Sequence, residues 1–234
     1  MNIIFSDGAS RGNPGPGGYG VIVATDDSVT ELGGRAEQTT NNQMELAGVI
    51  EGLSYLKNKH KTGGVTIYTD SSYVVNGITK WVYGWQKNGW QTKTKDPVLN
   101  KDLWQRLVEV SHGFDINWQL LPGHAGVPGN ERCDEIATSF ADKSDIKLFD
   151  GDRGDYSVGL DVTVDKSKLK EKSRKNQKAY SYVSFVDGVV KTHKTWEDCE
   201  ARVKGKKAKF KKVLSAVEET ELTAEWTRNS LAST

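Results

Sequence analysis

The stretch that decides the fold is NIIFSDGASRGNPGPGGYGVIVA, residues 2–24. Asn2–Ser6 is a short apolar run and Tyr19–Ala24 alternates, so both read as strands. Between them Asn13–Gly18 is dense in Gly and Pro, as a hairpin connection requires. Asp7 falls where the first strand is expected to end. A carboxylate there is either a turn residue or part of a site at the strand ends of an open sheet.

Outward from this hairpin the pattern continues in kind. Val29–Ala36 is a third strand after the polar turn Thr25–Ser28. Asn41 or Asn42 can cap a helix whose apolar face is Met44, Ala47, Ile50, Leu53 and Leu56. Val65–Thr69 reads as a buried strand, and Ser71 or Ser72 starts a second helix running to about Thr79. Leu99–Val110 is helical, Asp115–Leu121 is a strand, and a last helix begins near Asn130. Strands and helices in this order predict an α/β fold, a central sheet with helices on both faces.

Four carboxylates mark the junctions of these elements: Asp7, Glu45, Asp70 and Asp134. Each has an ordinary alternative, since acids are favoured in first helical turns and at strand ends. Gathered in one place they would repel, and a hard divalent cation is the usual remedy. His124 lies in the glycine-flanked run Pro122–Gly126, as a surface residue or as a proton shuttle beside a bound phosphate. Lys80–Trp90 interleaves tryptophan with lysine and is closed by Lys93, Lys95 and Pro97. That composition is either core tryptophan or an exposed nucleic-acid handle, whose grip on phosphates would be salt-sensitive.

The charge is unevenly spread. Residues 1–142 hold 12 Lys+Arg against 16 Asp+Glu, and residues 143–234 hold 20 against 15. A basic half beside an acidic half fits contact with a polyanion, and equally fits a solvated basic surface. Cys133 and Cys199 are far apart with no metal-ligand spacing, which suggests a reducing compartment. Neither a secretory leader pattern nor an apolar run of about 18 residues is present. A cytoplasmic protein with no membrane contact is the expectation, with monomer as the default state.

In order and spacing, the four acids, the His124 loop and their flanking runs FSDGASRGNPGPGGYG, TTNNQMEL and IYTDS resemble the type 1 ribonuclease H family over residues 2–142. The resemblance implies a five-stranded mixed sheet and an endonuclease that cuts the RNA strand of RNA/DNA hybrids, leaving 5′-phosphate and 3′-hydroxyl ends. It implies two Mg²⁺ ions, with Mn²⁺ as a substitute, on Asp7, Glu45, Asp70 and Asp134. It gives Glu45 a contact to the ribose 2′-hydroxyl and His124 a part in proton transfer or product release. It places Asn13, Asn41 and Asn42 in the minor groove, Thr40 and Asn100 on a DNA phosphate, and Tyr73 and Trp81 along the DNA channel. Gln38 stands where some members have Arg, so that phosphate grip is expected to be weaker.

Residues 143–179 lack an apolar stripe and read as a charged flexible linker. Residues 180–227 then read as a small α+β unit: strands at Tyr180–Val186, Val189–His193 and Lys207–Leu214, a helix from Thr195, and a last helix capped by Ser215. Residues 228–234 form a tail. In Tyr182-Val183, Thr195–Cys199, Val203 and Ala208–Lys212 followed by Ser215 and Glu218, this unit resembles the hybrid-binding, viroplasmin-like domain, although that family places it before the nuclease. The resemblance puts Tyr182 and Trp196 on sugars of the DNA strand and Phe210, Lys211 and Lys212 on its backbone. The expected ligand is hybrid, or duplex including double-stranded RNA, and tethering would raise processivity. Two rival readings are a binding protein with a vestigial nuclease and a different nuclease on the same fold. The intact acidic quartet opposes the first. The Asn41–Asn42 stretch, the tryptophan handle and the Gly-His-Ala-Gly loop oppose the second.

Overall fold

Asn2–Ser10 (β1) and Gly15–Ala24 (β2) pair antiparallel, with Phe5 opposite Ile22 and Asp7 opposite Gly20. In this computed structural model residues 2–123, 125–162 and 177–231 are described. Ser28–Thr39 (β3) extends the hairpin, while Gly63–Thr69 (β4) and Phe114–Leu120 (β5) add in parallel on the other side of β1. The five expected strands are present, and a sixth, Asp150–Asp152 (β6), joins antiparallel to the start of β3. The sheet order is β5-β4-β1-β2-β3-β6.

Two helices cover opposite faces of this sheet. Asn41–Asn58 (α1) packs against Ile4 and Ser6 of β1, and Pro128–Asp142 (α5) packs against Phe5 and the glycines of β2. Strand alternation puts Ile4 and Ser6 on one face and Phe5 and Asp7 on the other. Ser72–Asn76 (α2) continues through the π-helical turn Gly77–Trp81 into Val82–Lys87 (α3), and Lys101–Ser111 (α4) lies against α1. Because α1 is covered by both the sheet and α4, Leu46 and Val49 are fully buried beside the predicted face, while Ala47 stays only half-buried. Its cap is Thr40, whose side chain accepts from the Gln43 amide while Gln43 returns a bond to the Thr40 amide, so Asn41 and Asn42 remain exposed.

Glycine sets how closely the helices approach. A Cβ on Gly8 would fall within 3.0 Å of the Glu45 amide nitrogen, and one on Gly20 within 3.0 Å of the Cys133 carbonyl oxygen. Neither strand could carry a side chain there without pushing a helix away.

The chain divides into two compact units, Met1–Lys168 and Leu169–Thr234. Part of the expected linker is not one: Phe149, Tyr156 and Leu160 pack on Phe5, Ile22 and Val29, and β6 hydrogen-bonds to β3. Apolar side chains at 149, 156 and 160 can dock without any periodic stripe. Residues 163–176, the lysine-rich part of that expectation, lie outside the described residues. In the second unit Ser181–Val186 (β7) pairs antiparallel with both Val189–His193 (β8) and Ala208–Val213 (β9). Trp196–Val203 (α6) covers one face through Cys199 and Val203, and Ala216–Leu231 (α7) covers the other through Leu222 and Trp226. Among the described residues no helix is long and apolar enough to cross a membrane.

The glycine contacts give a direct stability test. Gly20→Ala should cost about 3 kcal/mol or more through forced separation of β2 and α5. Gly64→Ala, where an added Cβ meets nothing within 4 Å, should stay within about 0.5 kcal/mol of the parent. Urea unfolding midpoints of the two variants check this.

Candidate active site

Asp7 lies within β1 rather than at its end, because β1 continues to Ser10 against β2. Its position is still a boundary: pairing of β1 with β4 stops at Phe5 and Tyr68, so Asp7 faces the opening where the strands part. Asp70 follows the last residue of β4. Glu45 comes from the second turn of α1, brought down by the contact at Gly8, and Asp134 from the second turn of α5, brought down at Gly20. All four acidic side chains therefore meet at one end of the β1–β4 pair.

Their mutual influence is visible in the electrostatics. Asp7 is 8 % exposed. Burial first, then the charge of Asp70, with smaller contributions from Asp134 and Glu45, pushes its carboxyl from the ordinary 3.8 up to about 8, against one opposing hydrogen bond from the Gly8 amide. Glu45 is also raised, by burial and by Asp70, while hydrogen bonds from Ser71 and Asn41 oppose the shift. Ser71 Oγ donates at 2.5 Å to one oxygen and Asn41 Nδ2 at 2.8 Å to the other. Ser71 also accepts from the Val74 amide as the cap of α2. From the sequence either Ser71 or Ser72 can start this helix, and the position of Ser71 next to Asp70 is the available hint of its bond to Glu45.

Among the described residues no three Asp, Glu, His or Cys side chains close into a ready-made cation cage. The donor set nonetheless fits a hard divalent cation: every candidate ligand is a carboxylate, and the most buried of them is destabilised as an anion by its neighbours. Cys133, buried beside Asp7, has its thiol pushed well up by burial and by that carboxyl, so it offers no soft ligand.

The expected substrate-contacting residues fall into three groups. Asn13, Asn41 and Asn42 are exposed, and Thr40 is half-buried at the cap of α1. Tyr73, Trp81, Trp85 and Trp104 form one aromatic cluster with ring centres 5.2–6.1 Å apart. Trp104 is fully buried in it, whereas Trp81 is 39 % and Tyr83 67 % exposed, so the handle stretch supplies both core and surface. Asn100, with φ 58° at the start of α4, donates to the Tyr73 hydroxyl at 3.1 Å, and Trp104 Nε1 donates to the same oxygen at 3.2 Å. His124 lies outside the described residues.

In the second unit Tyr182, Trp196 and Phe210 pack in sequence as tilted rings, with ring centres 5.6 and 5.4 Å apart, and Phe210 is 53 % exposed. Lys212 is directly opposite Tyr182 and shares this face. Lys211 is opposite Val183 on the α7 face, 3.8 Å from Glu218. Strand alternation thus separates two lysines that the expected backbone contact treated together.

Comparisons with known proteins cover the first unit. A family model described as RNase H matches residues 1–142. The chain is 49 % identical over 144 residues to a ribonuclease H of Polaromonas sp. (strain JS666), spanning 61 % of this chain and 89 % of that protein. It is 52 % identical over 134 residues to a ribonuclease H of Bradyrhizobium sp. (strain ORS 278), spanning 57 % and 85 %. Among solved structures it is similar to LC9-RNase H1, described as a type 1 RNase H with the type 2 active-site motif. The TM-score is 0.57 at 32 % identity, over 64 % of this chain and 77 % of that one. The solution structure of the PFV RNase H domain, 22 % identical with a TM-score of 0.52 over 62 % and 96 % of the chains, shares the fold.

The Asp7 environment makes stability pH-dependent with a definite sign. A carboxyl raised on folding costs nothing below its unfolded value near 3.8, and stability falls as pH rises from there to about 8. In EDTA, Asp7→Asn should remove that slope and be more stable than the parent at pH 8 by about 1–3 kcal/mol, a discounted share of about 1.4 kcal/mol per pKa unit. Adding Mg²⁺ should narrow the gap. Urea titrations at pH 5 and pH 8 measure both.

Proposed function

The chain belongs to the ribonuclease H family, whose members cleave the RNA strand of RNA/DNA hybrids, and from that premise we propose a divalent-metal endonuclease assisted by its second unit. Asp7, Glu45, Asp70 and Asp134 would hold two Mg²⁺ ions, with Mn²⁺ able to replace them. Bound there, the ions would supply Lewis-acid stabilisation of the phosphodiester oxygens and a water of lowered pKa, giving 5′-phosphate and 3′-hydroxyl products. The observation carrying this assignment is the convergence of the four acids, felt at Asp7 as a rise to about 8.

The chain's own groups divide the remaining work. Glu45, oriented by Asn41 and Ser71, would accept from a ribose 2′-hydroxyl, the group that separates RNA from DNA. Asn13, Asn41 and Asn42 would read the minor groove. Thr40 accepts from the Gln43 amide, so its hydroxyl proton is left to donate to a DNA phosphate together with Asn100. Tyr73 and Trp81 would wall the DNA strand, and His124 would carry a proton to the departing 3′-oxygen.

The second unit would hold hybrid or duplex on the Tyr182–Trp196–Phe210 face, with Lys212 beside it and Lys211 adding charge from the opposite face. Support comes from the aromatic cluster and from the composition of residues 166–212, which hold 16 Lys+Arg against 5 Asp+Glu. Residues 1–142 would then be the catalytic unit, 180–227 the binding unit, and the intervening lysine-rich residues the tether.

Cleavage of a strand-labelled hybrid in Mg²⁺ tests the enzyme. Only the RNA strand should be cut, EDTA should stop the reaction, and Asp70→Asn should lower the rate by roughly 100-fold or more. Hybrid bound but uncut in either metal, or an all-DNA duplex cut equally well, would defeat the assignment. For the second unit, the pair Phe210→Ala and Lys212→Ala in the full chain should raise the KM for hybrid about 3–10-fold and flatten its salt dependence, with kcat unchanged. An unaltered KM and salt slope would leave that unit without a part in binding.

A further inference from the structure

Glu31, in β3, has a side chain only 1 % exposed, and its carboxylate accepts four hydrogen bonds. Arg132 Nε and one terminal nitrogen donate at 2.8 Å each, the Tyr156 hydroxyl at 2.7 Å and the Phe149 amide at 3.0 Å. Burial works to raise this carboxyl, but the donors of Arg132, Tyr156 and Phe149 outweigh it and hold it below its ordinary 4.5. Arg132 stands two residues before Asp134 in α5, and it also donates to Glu135 and to the Lys147 carbonyl, both at 2.8 Å.

The segment 147–160 runs along this same half of α5. Phe149 and Tyr156 have ring centres 4.9 Å apart and, with Leu160, pack on Phe5, Ile22, Leu121, Val127 and Cys133. A Cβ on Gly159 would meet Pro128, in the first turn of α5, at 3.6 Å. The segment therefore packs on the same apolar cluster that includes Leu121, Val127 and Cys133, the last being the neighbour of Asp134. Val127, the residue that precedes this helix, makes no side-chain cap bond to it.

We propose that Lys147–Leu160 is a positioning strap for Asp134, acting through the buried Glu31–Arg132 pair, with Arg132 and Tyr156 as positioning residues. The proposal rests on the assignment of Asp134 as a cation ligand. A two-pronged guanidinium–carboxylate contact fixes a helix in rotation as well as in depth. Groups one step behind a ligand commonly change metal affinity about 10–100-fold when removed. The strap touches neither substrate nor cation, and its effect is read in how tightly the cation is held.

The experiment uses the full chain and the Mg²⁺ concentration giving half-maximal thermal stabilisation, measured without nucleic acid, beside the Mg²⁺ concentration giving half-maximal cleavage. Tyr156→Phe keeps the ring packing and removes one donor to Glu31. It should raise both Mg²⁺ midpoints about 3–10-fold while leaving the KM for hybrid and the rate at saturating Mg²⁺ near the parent values. Leu107→Ala, a core truncation in α4, should lower the melting temperature without moving either midpoint. If Tyr156→Phe leaves both midpoints unchanged while Asp134→Asn shifts them, the strap is structural only and the proposal fails. If Asp134→Asn itself moves neither, the ligand assignment fails and the strap proposal falls with it.

Discussion

Two backbone contacts govern the architecture: β1 against α1 at Gly8, and β2 against α5 at Gly20. Each brings a helix to the sheet more closely than any side chain would allow, and each helix carries one acidic residue of the site. Glu45 and Asp134 are near Asp7 because two neighbouring strands each lack a Cβ atom, at Gly8 and at Gly20. The sheet contributes the remainder by ending its β1–β4 pairing just short of Asp7, where Asp70 follows.

Such convergence is unfavourable in isolation, since a buried carboxyl among three others loses hydration and gains repulsion. The surrounding core offsets it. Ile4, Phe5, Val21, Ile22, Leu46, Val49 and Ile67 are all fully buried on the same strands and helices. Each contributes about 1.5–3 kcal/mol relative to exposure. Their sum exceeds the electrostatic cost several-fold, so packing decides the geometry and the charges adapt by shifting their protonation. The four acids are held together by forces unrelated to their charge.

Much of this is legible in the chain. Period-2 runs gave the strands, and the acids stood out because each one sat at a predicted junction. The failures have physical causes. Polar residues normally close a strand, which puts Asp7 at a strand end in the sequence, yet β2 continues to pair past it through glycines. Thr40 took the cap from Asn41 and Asn42 because the Gln43 side chain completes a reciprocal bond with it. Glu31 and Arg132, 101 positions apart, carry no local signal of their pairing, and Asp150–Asp152 is a strand without a single apolar residue. The separation of Lys211 from Lys212, by contrast, follows from strand alternation and needed only that rule.

The sheet's outer margin also bears on how the molecule behaves in a crowded solution. β3 has β6 paired only along Ser28–Thr30. Farther along, Arg35 donates to the Phe140 and Ala141 carbonyls and pairs with Glu37, which is also bridged by Lys143. Glycines 33 and 34 interrupt the flat middle, where Phe140 and Tyr19 crowd close. Unpaired strand margins invite neighbouring chains to add on, and charge and irregularity are what discourage them. Here the short sixth strand covers one end of β3 and the Arg35–Glu37–Lys143 ion pairs lie at the other, so the segment that follows α5 helps close both ends of this margin to a neighbouring chain.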